Sequence, residues 1–449
     1  MKKHVVSLCL LAFMLLVFNS CKKETVDVTH LLTTVPSSAA GVVVFNMEEL
    51  LEDAGCKIKD HAVTPGAEVS ALLDKASSPD KQDIMMLFDG STGIEPKGAV
   101  VFYDSNRAFL TFALYDVNKF IGFVEKKDGG TFTDEESGVK VNGNIAVKGS
   151  QAWICLSKGK KLDPDAIASY SALGSAQSFL VTPMGEKLLA DESDIRGWAR
   201  INTFLNEMVS RSNRSFVTLG LGFLFEDAES VRFNLDFDKG EAETEILVLN
   251  DKFKPAKYQL TTDKVDVSTL KSLGNTCDVM MAFTINSKLI KKLEQASTAL
   301  GGALFGDLGE SLKNVDGTVG LIGSGRDVSE SLNGVVTTKG DVSKMLKDFI
   351  SNQIAPVSQD GKYLRFSKGD VKGNLNVSEC AEELKGCCYG MVFGASGVDN
   401  MGYGAEAGSS LKEVVVKLNP EGDGVELEIE VKTTEPKENS LLTILRSIK

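Results

Sequence analysis

From residue 41 onward the chain alternates short apolar runs with amphipathic stretches, and the same order of elements occurs twice. An apolar run from Gly41 leads into Asn46, with Glu49 three residues later and Gly55 beyond, which predicts a strand, a capped helix and a glycine stop. Asp278 to Ile285 followed by Asn286 and an amphipathic stretch to Leu293 has the same plan. Next comes a predicted hairpin, residues 98–103 with 108–114, matched by 317–322 with 334–338. Asp116-Val-Asn-Lys and Asp341-Val-Ser-Lys then open predicted helices, each with Asp as the expected cap. Polar antiparallel segments follow, 138–157 and 361–377, and each half closes on alternating strands, 231–237 with 243–249 and 413–418 with 425–431.

This pattern predicts an α+β fold of two homologous repeats, each an antiparallel sheet with helices packed mainly on one face. The repeats are expected at 33–252 and 258–440, joined by Lys252-Phe-Lys-Pro-Ala-Lys257, with a helical insertion at about 185–212 in the first. Of the two tryptophans, Trp153 falls in a strand pattern and Trp198 in a helix pattern.

Ahead of the repeats lies a leader, residues 1–20, with Lys2 and Lys3 before an apolar run from Val5 to Phe18 broken by Ser7. That run is short for a membrane span and fits a signal peptide. It ends in Val17-Phe18-Asn19-Ser20-Cys21, which resembles a bacterial lipobox. The resemblance implies cleavage before Cys21 and a lipid on its thiol, with residues 21–32 as a tether. Such a lipid holds a folded domain on a membrane at roughly 0.8 kcal/mol per buried methylene. Lys22 stands where an inner-membrane retention signal places Asp, so the expected location is the outer membrane, facing the periplasm or the cell surface.

The leader, the opening from Pro36 to Gly55, the Asp-Val-x-Lys helix starts, and the closing Glu426-Leu-Glu-Ile-Glu-Val431 with Glu438-Asn-Ser-Leu-Leu442 together resemble a family of Bacteroidales lipoproteins whose domain has no assigned function. The resemblance spans nearly the whole chain after the leader. It implies a two-part α+β lipoprotein and transfers no catalytic residue.

Composition narrows the chemistry. Net charge is −13, and loss of Lys2 and Lys3 with the leader takes it to −13 − 2 = −15, which argues against nucleic-acid binding. The only histidines are His4, His30 and His61, so an imidazole base or a multi-histidine zinc site would have to come from the N-terminal stretch. Asp134-Glu135-Glu136 is an acidic triplet that reads as a solvated turn, and Asp236, Asp238 and Glu241 around Gly240 read as a hairpin turn rather than a calcium loop. Several Ser-x-x-Lys matches lack their companion motifs and are taken as chance. Pairing among Cys56, Cys155, Cys277, Cys380, Cys387 and Cys388 is open, with Cys380 to Cys387 or Cys388 as the only local pair and buried free thiols as the equal alternative.

The residues therefore give no catalytic set, cofactor or metal site. The expectation is a membrane-anchored, non-enzymatic binding or scaffolding module for an envelope protein or glycan, with Cys21 lipidated and Trp198 and Phe204 as the candidate ligand contacts. The rival is a carboxylate-dependent hydrolase of glycan or peptide acting between the repeats. A carrier of an apolar ligand is the third reading, and it requires an apolar pocket.

Overall fold

The computed structural model describes residues 28–447 apart from 76–77, 105, 158, 161, 208–209, 300–310, 325–329 and 396–409. It divides into two compact units. The chain up to Arg211, with Ser230–Ala242 and Glu435–Lys449, forms the first; Ser212–Glu229 with Glu243–Thr434 forms the second. The units are thus interleaved, unlike the consecutive halves expected at 33–252 and 258–440. The tail joins the first unit because Asn439 Nδ2 donates to Asp53 Oδ1 at 2.7 Å and to the Phe237 carbonyl at 2.6 Å.

In the first unit the sheet strands are β1 (Gly41–Asn46), β2 (Ile94–Asp104), β3 (Arg107–Leu114), β4 (Thr133–Asp134), β5 (Lys140–Asn142), β6 (Ile145–Lys148), β7 (Gln151–Cys155), β8 (Ile195–Arg200) and β9 (Ser230–Asp238). Their order is β9-β8-β1-β2-β3-β7-β6-β5-β4, antiparallel throughout. Helix α1 (Met47–Asp53) starts as its cap predicts: the Asn46 side chain accepts from the Glu49 N–H, and Gly55 follows at φ 66°. Helix α2 (Val117–Asp128) begins on Asp116, whose carboxylate accepts from Asn118 and Lys119 N–H groups at 3.0 Å, and it ends on left-handed Gly129.

Helices α3 (Pro164–Ser171) and α4 (Pro183–Ala190) belong to the same unit. Tyr170 of α3 packs edge-on against Phe102 and Phe109, on one sheet face. Phe120 of α2 packs edge-on against Phe112, three residues beyond Phe109 and hence on the opposite face. The stretch 185–212, expected to be helical, holds the end of α4, the strand β8 and helix α5 (Ile201–Glu207). Trp198 is therefore a strand residue, because β8 pairs with β1 on one side and β9 on the other. Tertiary pairing has overridden a local helical pattern.

The second unit has β10 (Glu241–Leu249), β11 (Val279–Ile285), β12 (Val315–Gly323), β13 (Leu332–Thr338), β14 (Val357–Asp360), β15 (Tyr363–Lys368), β16 (Tyr389–Gly394), β17 (Leu411–Glu421) and β18 (Gly424–Thr433). Their order is β10-β18-β17-β16-β11-β12-β13-β15-β14. Strand β1 lies between β2 and β8, and β11 lies between β12 and β16.

Helix α6 (Ser287–Ala299) is capped by Asn286 Oδ1, which accepts from Lys288 and Leu289 N–H groups. Helix α7 (Lys344–Gln353) is capped by Ser343 and not by Asp341, since the Ser343 hydroxyl reaches the Leu346 N–H at 3.2 Å. Helix α8 (Val377–Glu383), capped by Asn376, and the short helix Val267–Lys271 supply Val377, Cys380, Ala381 and Leu270 to a core shared with Met280, Ala282, Val392 and Val415 of the sheet.

Candidate functional site

Strands β11 and β16 are apolar at both phases, Val-Met-Met-Ala-Phe-Thr-Ile and Tyr-Gly-Met-Val-Phe-Gly, so neither face is written for water. One phase enters the core just described. The other phase, with β17 and β18, builds three transverse rows of paired side chains. Val279, Phe393, Val414 and Val431 form the first, Met281, Met391, Val416 and Ile429 the second, and Phe283, Tyr389, Leu418 and Leu427 the third. All of these residues are partly exposed, and no charged side chain interrupts the rows.

Strand β18 makes the point most sharply. Its sequence Val-Glu-Leu-Glu-Ile-Glu-Val alternates, and a half-exposed strand normally turns its apolar phase inward. Here the charges take the enclosed side: Glu430 is 7% exposed and its neighbour Lys417 on β17 is 9% exposed. Leu427, Ile429 and Val431 meanwhile complete the partly exposed apolar rows. Phe283 packs at their edge against the core of Val315, Val319 and Ile350, and the remaining rows form a contiguous, partly exposed apolar surface of the kind that contacts something else.

The enclosed charges are mutually satisfied. Lys417 Nζ lies 2.5 Å from Glu428 and also pairs with Glu430; Lys432 Nζ lies 2.6 Å from Glu383, 3.2 Å from Glu413 and 3.7 Å from Glu430. Burial alone would raise the Glu430 carboxyl, yet hydrogen bonds from Glu428 and Lys417 and the charges of Lys417 and Lys432 pull it to about 2.

The first unit carries an apolar pocket of about 220 Å³. Val43, Val101, Tyr103, Ala108, Ala199 and Phe233 line its floor, and Thr203 and Phe204 of α5 stand over it. Gly41 keeps it open, since a Cβ there would meet Ala199 Cβ at 3.4 Å and Thr203 Cγ2 at 3.6 Å. Phe233 lies flat across Gly197, where a Cβ would come within 2.4 Å of its ring. Of the two ligand contacts expected from sequence, Phe204 lines this pocket through α5. Trp198 borders it from β8, with its ring turned to the other face, 4% exposed and 5.8 Å from Phe179.

Other candidate residues fall into place around these surfaces. Asp134 ends strand β4 just before the turn at Glu136, and its exposed carboxylate pairs with Lys140 of β5 at 2.6 Å. Asp238 and Glu241 flank a turn with Gly240 at φ 77°. His61 Nδ1 lies 2.8 Å from Glu95, and its ring stacks on Tyr115 at 4.1 Å. Among the described residues no cluster of His, Cys, Asp and Glu is placed to hold a metal ion, and no helix is long and apolar enough to cross a membrane. Cys21 and the leader lie outside the described residues.

Sequence reasoning missed one acid pair. Asp194 is fully buried beside Asp236, and burial, with the neighbouring carboxylate, raises its carboxyl to about 9. Its Oδ2 accepts from the Phe237 N–H at 2.9 Å, while Glu49 and buried Arg196 lie close enough to act on it electrostatically. Asp194 is closed off from solvent, whereas both acids of a hydrolytic pair must face a cleft.

No family model matches the chain, and no curated protein matches it. Among solved structures, two crystal forms of TP0453 are similar, each at 11% identity. Form I aligns with a TM-score of 0.30 over 80% of this chain and 97% of that one. Form III aligns with a TM-score of 0.33 over 78% and 96%.

Proposed function

We propose that this chain is a lipid-anchored protein of the bacterial envelope, of the Bacteroidales lipoprotein type, whose sheet surfaces hold the acyl chains of lipids. The observation that supports this reading is the set of three apolar rows on β11, β16, β17 and β18, partly exposed and free of charge. Methionines at the centre, Met281 and Met391, give that surface a pliable, polarisable middle suited to chains without fixed shape. The 220 Å³ pocket is smaller than the roughly 300–1,000 Å³ that encloses a drug-sized ligand, and it suits one segment of a flexible chain. The lipobox at Cys21 would keep both surfaces beside a source of acyl chains.

The test is uptake of a fluorescent fatty acid by the full chain after detergent exchange. The wild type is expected to take up probe saturably, and Met281→Lys with Met391→Lys to lose at least tenfold in affinity while circular dichroism is unchanged. Equal uptake by both, or none by the wild type, overturns the reading.

A further inference from the structure

The second unit brings two cysteines together that are far apart in sequence. Cys277 ends the short strand Thr276–Cys277, which pairs antiparallel with Leu375–Asn376, placing Cys277 opposite Leu375. The Val377 N–H donates to the Asn275 carbonyl at 3.0 Å, so α8 starts directly beside this strand. Cys380 lies one turn into α8, on the face with Val377, Ala381 and Leu384, all within the same core as Cys277. The strap before α8 lies tight on Cys277, because a Cβ at Gly373 would come 2.0 Å from its carbonyl carbon. Both cysteines are free in the structure and are buried in this one core. The neighbouring thiols have other partners: Cys387 Sγ donates to the Leu384 carbonyl at 3.0 Å and Cys388 Sγ to the Leu418 carbonyl at 3.3 Å.

We infer that Cys277 and Cys380 form a structural disulfide that ties α8 and its strap to the edge of the second unit's core. It differs from a pairing of Cys380 with Cys387 or Cys388, the only local candidate that the spacing offers. The oxidant required is a small-molecule disulfide such as oxidised glutathione. The Cys277 thiolate attacks one glutathione sulfur, giving a mixed disulfide and one glutathione thiolate. The Cys380 thiolate then attacks the Cys277 sulfur and releases the second glutathione. Two electrons pass from the cysteines to the glutathione disulfide, and the two thiol protons end on the released glutathiones. Cys277 is 0% and Cys380 2% exposed, so the exchange takes place before the core closes. The inference leans on the export reading only for where the chain meets an oxidant.

The test needs no substitution. Reduced, denatured full chain is refolded with oxidised and reduced glutathione, alkylated, and digested without reduction. Mass spectrometry is expected to find the Cys277 and Cys380 peptides joined, lighter than their reduced sum by two hydrogens, with Cys387 and Cys388 alkylated. Alkylated Cys277 and Cys380, or Cys380 joined to Cys387 or Cys388, overturns the inference. A chain found in a reducing compartment would overturn the export reading while leaving this result standing.

Discussion

Replacing Asp194 by Asn isolates what a buried acid does to the first unit. Asp194 is held near pKa 9 in the fold against 3.8 as its ordinary value, so the folded chain keeps a proton that the unfolded chain releases. The folded state binds more protons between those limits, so stability falls as pH rises from about 4 to about 9. At 1.36 kcal/mol per unit, the fall reaches at most about 4 kcal/mol by pH 7. Asn reproduces the neutral acid: its carbonyl oxygen accepts the Phe237 N–H now held by Oδ2, and it sets no charge against Asp236. Both tryptophans, Trp153 and Trp198, are buried in the first unit, so fluorescence during urea unfolding reports that unit. At pH 4.5 variant and wild type should unfold at nearly the same urea concentration. At pH 8 Asp194→Asn should be the more stable by about 2–5 kcal/mol. A stability difference that does not change between the two pH values would refute the reasoning.

Lys417→Met should leave Glu430 short of its main partner and cost the second unit about 3 kcal/mol, read as faster hydrogen exchange in β17 and β18. Because Glu430 sits at about 2 against an ordinary 4.5, its ion pairs stabilise the second unit at neutral pH, and that contribution should fade as pH falls from about 5 to 2 in the wild type. Gly197→Ala drives a methyl into the Phe233 ring and should cost about 1–3 kcal/mol by the same fluorescence assay, with weaker fatty-acid uptake as the pocket floor shifts.

What was legible in the sequence was local. Asn46 with Glu49, Asp116 and Gly55 start and stop their helices through contacts a few residues away, and each does so in the fold. At Asp341 two caps competed within three residues, and the Ser343 hydroxyl won the N–H group. Strand β8 was hidden because Ile-Arg-Gly-Trp-Ala-Arg runs straight into helix α5, and only its partners β1 and β9 make it a strand. The apolar rows left a trace in the double-phase hydrophobicity of β11 and β16, but which phase faces outward depends on the helices that fill the other side. That Cys277 and Cys380 share one core depends on a strand pairing across the whole second unit, which spacing cannot express.

Native mass spectrometry of the full chain purified from bacterial membranes tests the central claim most directly, because detergent is stripped while bound lipid and a covalent lipid on Cys21 both remain. The apolar-surface account predicts adducts with the masses of acyl lipids on the wild type, and their loss from the Met281→Lys, Met391→Lys chain. Bare protein mass for the wild type, or the same adducts on both chains, would contradict it.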